Sequence, residues 1–224
     1  MENPWQQFPT EKPFLLSGDI AAIQEFNSHV GKDYRIQTHL LPGPFVGHPD
    51  AKVYLLNLNP GYDVGDDYWH QQDSFAKNIR QNLVHSLTTC PFYYLNDEFQ
   101  ESPGANWWRT ILGPLMSEVG IECLRSQLMC LELFPYHSKQ FKPIPERLSA
   151  LGLRTAQRYS RYLVRQAITR NRSVVLMRSF SEWTTLVPEL DSYVNCHRIR
   201  NRRRPFISPG NLDDYQALVK ALSL

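Results

Sequence analysis

Apolar residues along the 224-residue chain gather into short continuous runs separated by amphipathic stretches. The clearest run, 53–58, ends at Asn59 followed by Pro60-Gly61. A strand buried on both faces of a parallel sheet reads as such a run, and Pro-Gly forces a turn at its carboxyl end. Runs at 127–134 and 173–178 repeat the logic, and 193–199 predicts a fourth strand. The 127–134 run leads into Pro135-Tyr136-His137-Ser138 and carries a lone carboxylate, Glu132, among apolar neighbours. Helical spacing predicts helices over 19–30 (stopped by Gly31), 76–87, 106–119, 152–169, 181–186 and 213–222. The three Pro and two Gly of 41–49 argue against regular structure there, and 62–104 reads as a long polar and aromatic crossover. Strands alternating with helices predict an α/β fold, with three α/β/α layers around a central four-stranded, mainly parallel sheet. The length suits one domain spanning 1–224, with an N-terminal helical extension over about 1–40.

Open α/β sheets build their sites beyond the carboxyl ends of the strands. Asn59 is thereby expected at the mouth of a crevice, its amide able to orient a water or a substrate.

Composition narrows the classes. Hydrophobic residues make up 42% and charged residues 21%, the proportions of a soluble globular protein, and no run is long enough to cross a bilayer. The start, Met1-Glu2-Asn3-Pro4-Trp5, lacks the basic and apolar parts of an export signal, so a cytoplasmic protein is expected. Cys90, Cys123, Cys130 and Cys196 include no close pair, which argues against a zinc ribbon or an iron–sulfur cluster and for reduced thiols. Neither a metal nor a cofactor is expected.

The net charge of +2 hides an uneven distribution. Five of the seven residues from 198 to 204 are Arg (Arg198, Arg200, Arg202, Arg203, Arg204), leaving the rest of the chain with 19 basic against 22 acidic residues. A second region, 147–181, holds eight Arg and no Asp or Glu, and Arg154, Arg158, Arg161 and Arg165 share one helical face. Guanidinium groups on a helix beside an Arg-rich loop suit a polyanion, because phosphate contacts supply most non-specific nucleic-acid affinity. A solvated helix face with an exposed loop is the plainer alternative.

Three short motifs carry a family resemblance. Asn57-Leu58-Asn59-Pro60-Gly61 resembles the G-I-N-P-G first motif of the uracil-DNA glycosylase superfamily, in its mismatch-specific branch, with Asn57 where that branch has Gly. Asn106-Trp107-Trp108-Arg109 is similar to the N-R-F-W-K helix start of that branch, and Ser208-Pro209-Gly210-Asn211-Leu212 to its second motif, a Pro-Ser-Gly or Pro-Ser-Pro loop. The pieces occur in the family's order from Pro44 onward.

The resemblance implies a monofunctional enzyme that flips a nucleotide out of DNA and hydrolyses its N-glycosidic bond; double- or single-stranded DNA is the expected partner and a monomer the expected state. Asn59 matches the residue that positions the water. Asp63 is a second candidate, with a solvated loop acid as its alternative. Glu132 stands where several branches read the base edge with Asn. An ionised Glu offers only acceptors, which fits an exocyclic amino group and points to a cytosine derivative over uracil; pairing with Arg178 is the alternative. Tyr62, Phe75 and Phe92 are candidates for the ring that stacks on the flipped base. Ser208, Gly210 and Asn211 are expected at the DNA backbone. The family's first-rank enzymes put His at the front of the second motif, but Phe206-Ile207 occupies that place here, leaving His137 or His197 as spatial substitutes. Two other classes stay open: a glycosylase-like module that binds nucleic acid without cleaving it, and a small-molecule hydrolase or transferase on the same scaffold. The Arg cluster and the lack of a Gly-rich phosphate loop or Ser-centred nucleophile motif speak against the last.

Overall fold

The computed structural model describes residues 1–223. Five strands, β1 (Phe45–Gly47), β2 (Val53–Asn57), β3 (Leu128–Glu132), β4 (Ser173–Leu176) and β5 (Cys196–Arg198), form one mixed sheet in the spatial order β1-β3-β2-β4-β5. Strands β2 to β5 are mutually parallel, and β1 runs antiparallel to β3. Every residue of β2, β3 and β4 is buried, so both faces of the central sheet are covered.

The sheet has one strand more than expected. Strand β1 lies within 41–49, read as devoid of regular structure, and is only three residues long. Its last residue, Gly47, has φ +112, and a Cβ there would lie 2.2 Å from the carbonyl oxygen of Leu128. Glycine lets this edge strand close onto β3, and so short a strand leaves no alternation to read. The fourth expected strand is shorter than 193–199, because β5 pairs with β4 only over Cys196–Arg198.

Eight helices surround the sheet among the described residues: α1 (Ile20–His29), α2 (Asp66–Trp69), α3 (Asp73–Leu83), α4 (Pro103–Val119), α5 (Ile121–Gln127), α6 (Leu151–Thr169), α7 (Phe180–Leu186) and α8 (Tyr215–Ser223). Helix α4 starts three residues before the expected 106, because Ser102 Oγ accepts from Ala105 N and Pro103 occupies the first turn. Helices α2 and α5, each seven residues or fewer, were not anticipated. Gly31 does not close α1 in a left-handed cap, since its φ is −65.

The 1–40 region is less an extension than part of the core. Trp5, Leu15, Ile23 and Phe26 are buried in the same cluster as the central strands. Asp19, fully buried, ties this region to α6. Its carboxylate accepts from Leu153 N (2.8 Å) at the start of α6 and from the Tyr136 hydroxyl (2.6 Å) beyond β3. Ala150 supplies no side-chain cap to α6, so the cap comes from a residue more than 130 positions away. No helix among the described residues is long and apolar enough to cross a membrane.

Candidate functional site

The carboxyl ends of β3, β2 and β4 lie side by side. The chain leaves β2 toward β3 on one side and leaves β4 toward β5 on the other, and such a reversal opens a crevice in α/β sheets. Asn57 ends β2 directly opposite Glu132, which ends β3. Asn57 Nδ2 donates to Glu132 Oε1 over 3.1 Å, and Trp183 Nε1 of α7 donates to the Asn57 carbonyl over 2.7 Å.

Both side chains are more than nine-tenths buried, at 4% and 7% exposure, yet Asn57 Oδ1 and Glu132 Oε2 have no partner among the described residues. Arg178, just past β4, adds a third orphan: its Nε is buried and unpaired, while its guanidinium lies 5.9 Å from the ring centre of Trp107 on α4. An unpartnered buried polar group costs about 1–3 kcal/mol, so such groups are rare in stable folds. Three at adjacent strand ends mark a place where hydrogen-bonding capacity is held in reserve. Other orphans among the described residues include Asn82 Oδ1 and His85 Nδ1 at the end of α3, Tyr215 Oη, and the Nε atoms of Arg109, Arg161 and Arg172.

Burial pushes the Glu132 carboxyl up to about 8, overriding the hydrogen bond from Asn57 and the charge of Arg178, which both pull it down. The group is therefore neutral at pH 7, and the preference argued from an ionised Glu132 loses its premise. Pairing with Arg178 does not replace it, because Asn57 holds the carboxyl and Arg178 acts from a distance. Burial likewise raises the Cys130 thiol and the Tyr94 phenol, and Glu132 contributes to both shifts. The Tyr94 ring lies against Gly104, where a Cβ would come within 2.3 Å of it. The chain had given no sign of a role for Tyr94 or Gly104.

Asn59 lies two residues beyond β2, half-buried. Its Nδ2 donates to the Pro60 carbonyl (2.9 Å) and to Ser138 Oγ (3.2 Å), linking the β2 and β3 exits. The amide oxygen is the atom left for a water. Asp63 is exposed and shapes the next turn: Oδ1 accepts from Gly65 N, and its own N–H donates to Asp66 Oδ2. Asp66 is buried and pushed up to about 6, chiefly by desolvation, with Asp63 and Asp67 adding to the rise.

Two of the three stacking candidates are corrected. Phe75 sits edge-on against Phe99 and Tyr93, and Phe92 edge-on against Trp108, so both rings are packed into the aromatic core. Tyr62, three residues after Asn59 in the chain, is half-buried with its hydroxyl donating to Asp67 Oδ2 over 3.0 Å. Neither His substitutes for the missing one. His137 is buried with Nδ1 on the Gly61 carbonyl (2.7 Å) and held down at about 4, and His197 is buried within β5 with its pKa lowered by desolvation.

The Arg-rich loop divides. Arg198 pairs with Asp191 and Arg200 with Asp213, while Arg202 stacks 4.1 Å over Phe180 at the start of α7, two residues from Arg178. Arg203 and Arg204 are exposed and form no ion pair among the described residues. Asn211 staples this loop: Oδ1 accepts from Asn201 N, and Nδ2 donates to the Arg204 and Phe206 carbonyls. Gly210 is exposed, and the Ser208 carbonyl accepts from Asn211 and Leu212 N–H groups. Ile207 N anchors the segment to the Ile111 carbonyl of α4, and no hydrogen bond joins Ser208 to Asn59 or Glu132. On α6, Arg154 and Arg158 are exposed, Arg161 is half-buried, and Arg165 pairs with Glu189. Two open depressions, of about 560 and 490 Å³, lie away from these strand tips, one along 4–20 and Leu151–Thr155, the other around His85 and Tyr159.

Fold and site together define an α/β protein with an incompletely satisfied polar nest at its strand ends. No family model, curated protein or solved structure matches the chain.

Proposed function

We propose that this protein is a DNA glycosylase of the uracil-DNA glycosylase kind, flipping a damaged or modified base, a cytosine derivative or uracil, and hydrolysing its N-glycosidic bond. The observation that carries this reading is the grouping of orphaned Asn57 Oδ1, Glu132 Oε2 and Arg178 Nε at three neighbouring strand ends, next to Asn59 on its Pro-Gly turn. Hydrogen-bonding groups that face no protein partner suit the edge of a base brought in from outside.

The chemistry follows from the transition state, an oxocarbenium-like sugar with an anionic departing base. It needs a placed water and preorganised dipoles, not a strong nucleophile. Asn59 holds its amide rigidly through Pro60 and Ser138, so its oxygen can hold a water without reorganising. A neutral Glu132 does not repel a departing anionic base, as a carboxylate would. Arg202, Arg203 and Arg204, on the loop beside the β4 exit, supply positive charge for the DNA backbone.

Incubating purified protein with labelled oligonucleotides carrying uracil or modified cytosines, then cleaving at abasic sites, tests this directly. Strand breaks at the chosen base support it, and intact oligonucleotides across the panel sink it. Phe206-Ile207 in place of the motif's His favours one second reading, a nucleic-acid-binding module without cleavage. That reading predicts tight, salt-sensitive binding with every base left in place.

A further inference from the structure

We infer that Asn57 and Glu132 act together as one reader of a flat heterocycle edge that sets a hydrogen-bond donor beside an acceptor, Glu132 Oε2 donating as a carboxylic acid and Asn57 Oδ1 accepting. This rests on the nucleobase reading above and names the two side chains that choose the base.

The geometry restricts how the pair can work. Asn57 Nδ2 is spent on Glu132 Oε1, which fixes that oxygen as the acceptor of the carboxyl group. The proton of a neutral Glu132 then belongs on Oε2, an atom with no partner, and Asn57 Oδ1 is the matching orphan on the neighbouring strand. The register holds the two residues level at the last paired position of β2 and β3, and each keeps one oxygen free among the described residues. Asn57–Glu132 thus presents what a single amide presents, one donor and one acceptor, but divides it between two strands. A pyrimidine edge with adjacent N3 and C4 substituents offers the complement.

Burial, not the neighbouring side chains, keeps Glu132 a neutral acid. Cys130 lies two residues back on β3 and donates its S–H to Glu132 Oε1, Tyr94 approaches from the segment before α4, and Arg178 from beyond β4. Burial keeps the thiol and the phenol protonated, so neither adds a negative charge. The hydrogen bonds from Asn57 and Cys130 and the charge of Arg178 all favour the carboxylate, and desolvation outweighs them. Above pH 8 the acid ionises, leaving two acceptors and no donor, and the pair stops matching a donor–acceptor edge.

Binding of a single-stranded oligonucleotide carrying one non-hydrolysable 2′-fluoroarabino-uridine is compared with its N3-methyl analogue, which blocks the edge. Wild-type protein is expected to prefer the open edge at pH 6.5 and to lose about tenfold of that preference between pH 7 and 9, as one ionisation near 8 requires. Glu132→Gln, whose amide replaces the acid's donor, keeps the preference across this range; Asn57→Ala loses it at pH 6.5 and serves if Glu132→Gln does not fold. A wild-type preference independent of pH, or none for the open edge at any pH, overturns the proposal. A parallel cleavage assay on uridine DNA separates the two readings. Edge preference without abasic sites retires the glycosylase and keeps the reader, whereas abasic sites formed equally from open and blocked bases retire the reader and keep the glycosylase.

Discussion

Asn57 and Glu132 face each other at the last paired position of two parallel strands and share a 3.1 Å hydrogen bond, while each keeps one oxygen unpaired. The cost of this arrangement depends on pH. Glu132 titrates near 4.5 when unfolded and near 8 in the fold, so folding retains a proton over that window. Stability is fully present below pH 4.5 and is lost as pH rises to about 8, by up to about 1.4 kcal/mol per pH unit. Glu132→Gln removes this dependence. Thermal melts from pH 5 to 9 are expected to show the variant gaining on wild type as pH rises; parallel curves refute the protonated state.

Asn59→Ala is expected to lower abasic-site formation by about 10²-fold, the usual loss when one preorganised polar contact to the reacting atoms goes. Asp63→Ala should lower it far less, because Asp63 serves the turn at Gly65. Single-turnover rates on the preferred oligonucleotide check both.

The two halves of the Arg loop should behave differently on DNA. Arg198 and Arg200 already have carboxylate partners, and Arg203 and Arg204 have none among the described residues. Each phosphate contact adds about 0.9 to the slope of log affinity against log salt. Replacing Arg203 and Arg204 together by Ala should reduce that slope by up to about 1.8, and replacing Arg198 and Arg200 by clearly less. Fluorescence anisotropy titrations at several salt concentrations measure it.

Gly47→Ala should be among the most damaging single changes. The φ of +112 disfavours any side chain, and the new Cβ would press on the Leu128 carbonyl at 2.2 Å. A loss of about 3 kcal/mol or more is expected. Gly113→Ala, inside α4 with no atom beyond its chain neighbours and own helix backbone within 4 Å of the new Cβ, should stay close to wild type, because the helix propensity of Ala is offset by its place before Pro114. Urea unfolding midpoints should fall sharply for Gly47→Ala and stay near wild type for Gly113→Ala.

The strands that place the site were legible because a buried parallel strand leaves a continuous apolar run, and β2, β3 and β4 all fall inside such runs. Asn59 and Glu132 stood out as polar residues at the tips of those runs. Asn57 did not, since one amide inside an apolar stretch reads as part of the strand until its register partner is known. Phe75 and Phe92 show the converse, because an aromatic residue in a crossover carries no mark of whether it lines a pocket or fills the core. Helix α5 was hidden by following α4 after a single residue, Gly120, at φ +82.

The order of hydrophobic runs and amphipathic stretches thus determined by itself an α/β chain with polar residues at its strand tips and a concentrated patch of Arg, because periodicity and local charge are properties of neighbours in sequence. Only the tertiary structure decided that Asn57 meets Glu132, that Asp19 caps a helix more than 130 residues away, and that Arg198 and Arg200 are neutralised. Those outcomes depend on strand register, desolvation and contacts between distant segments, which no local pattern records.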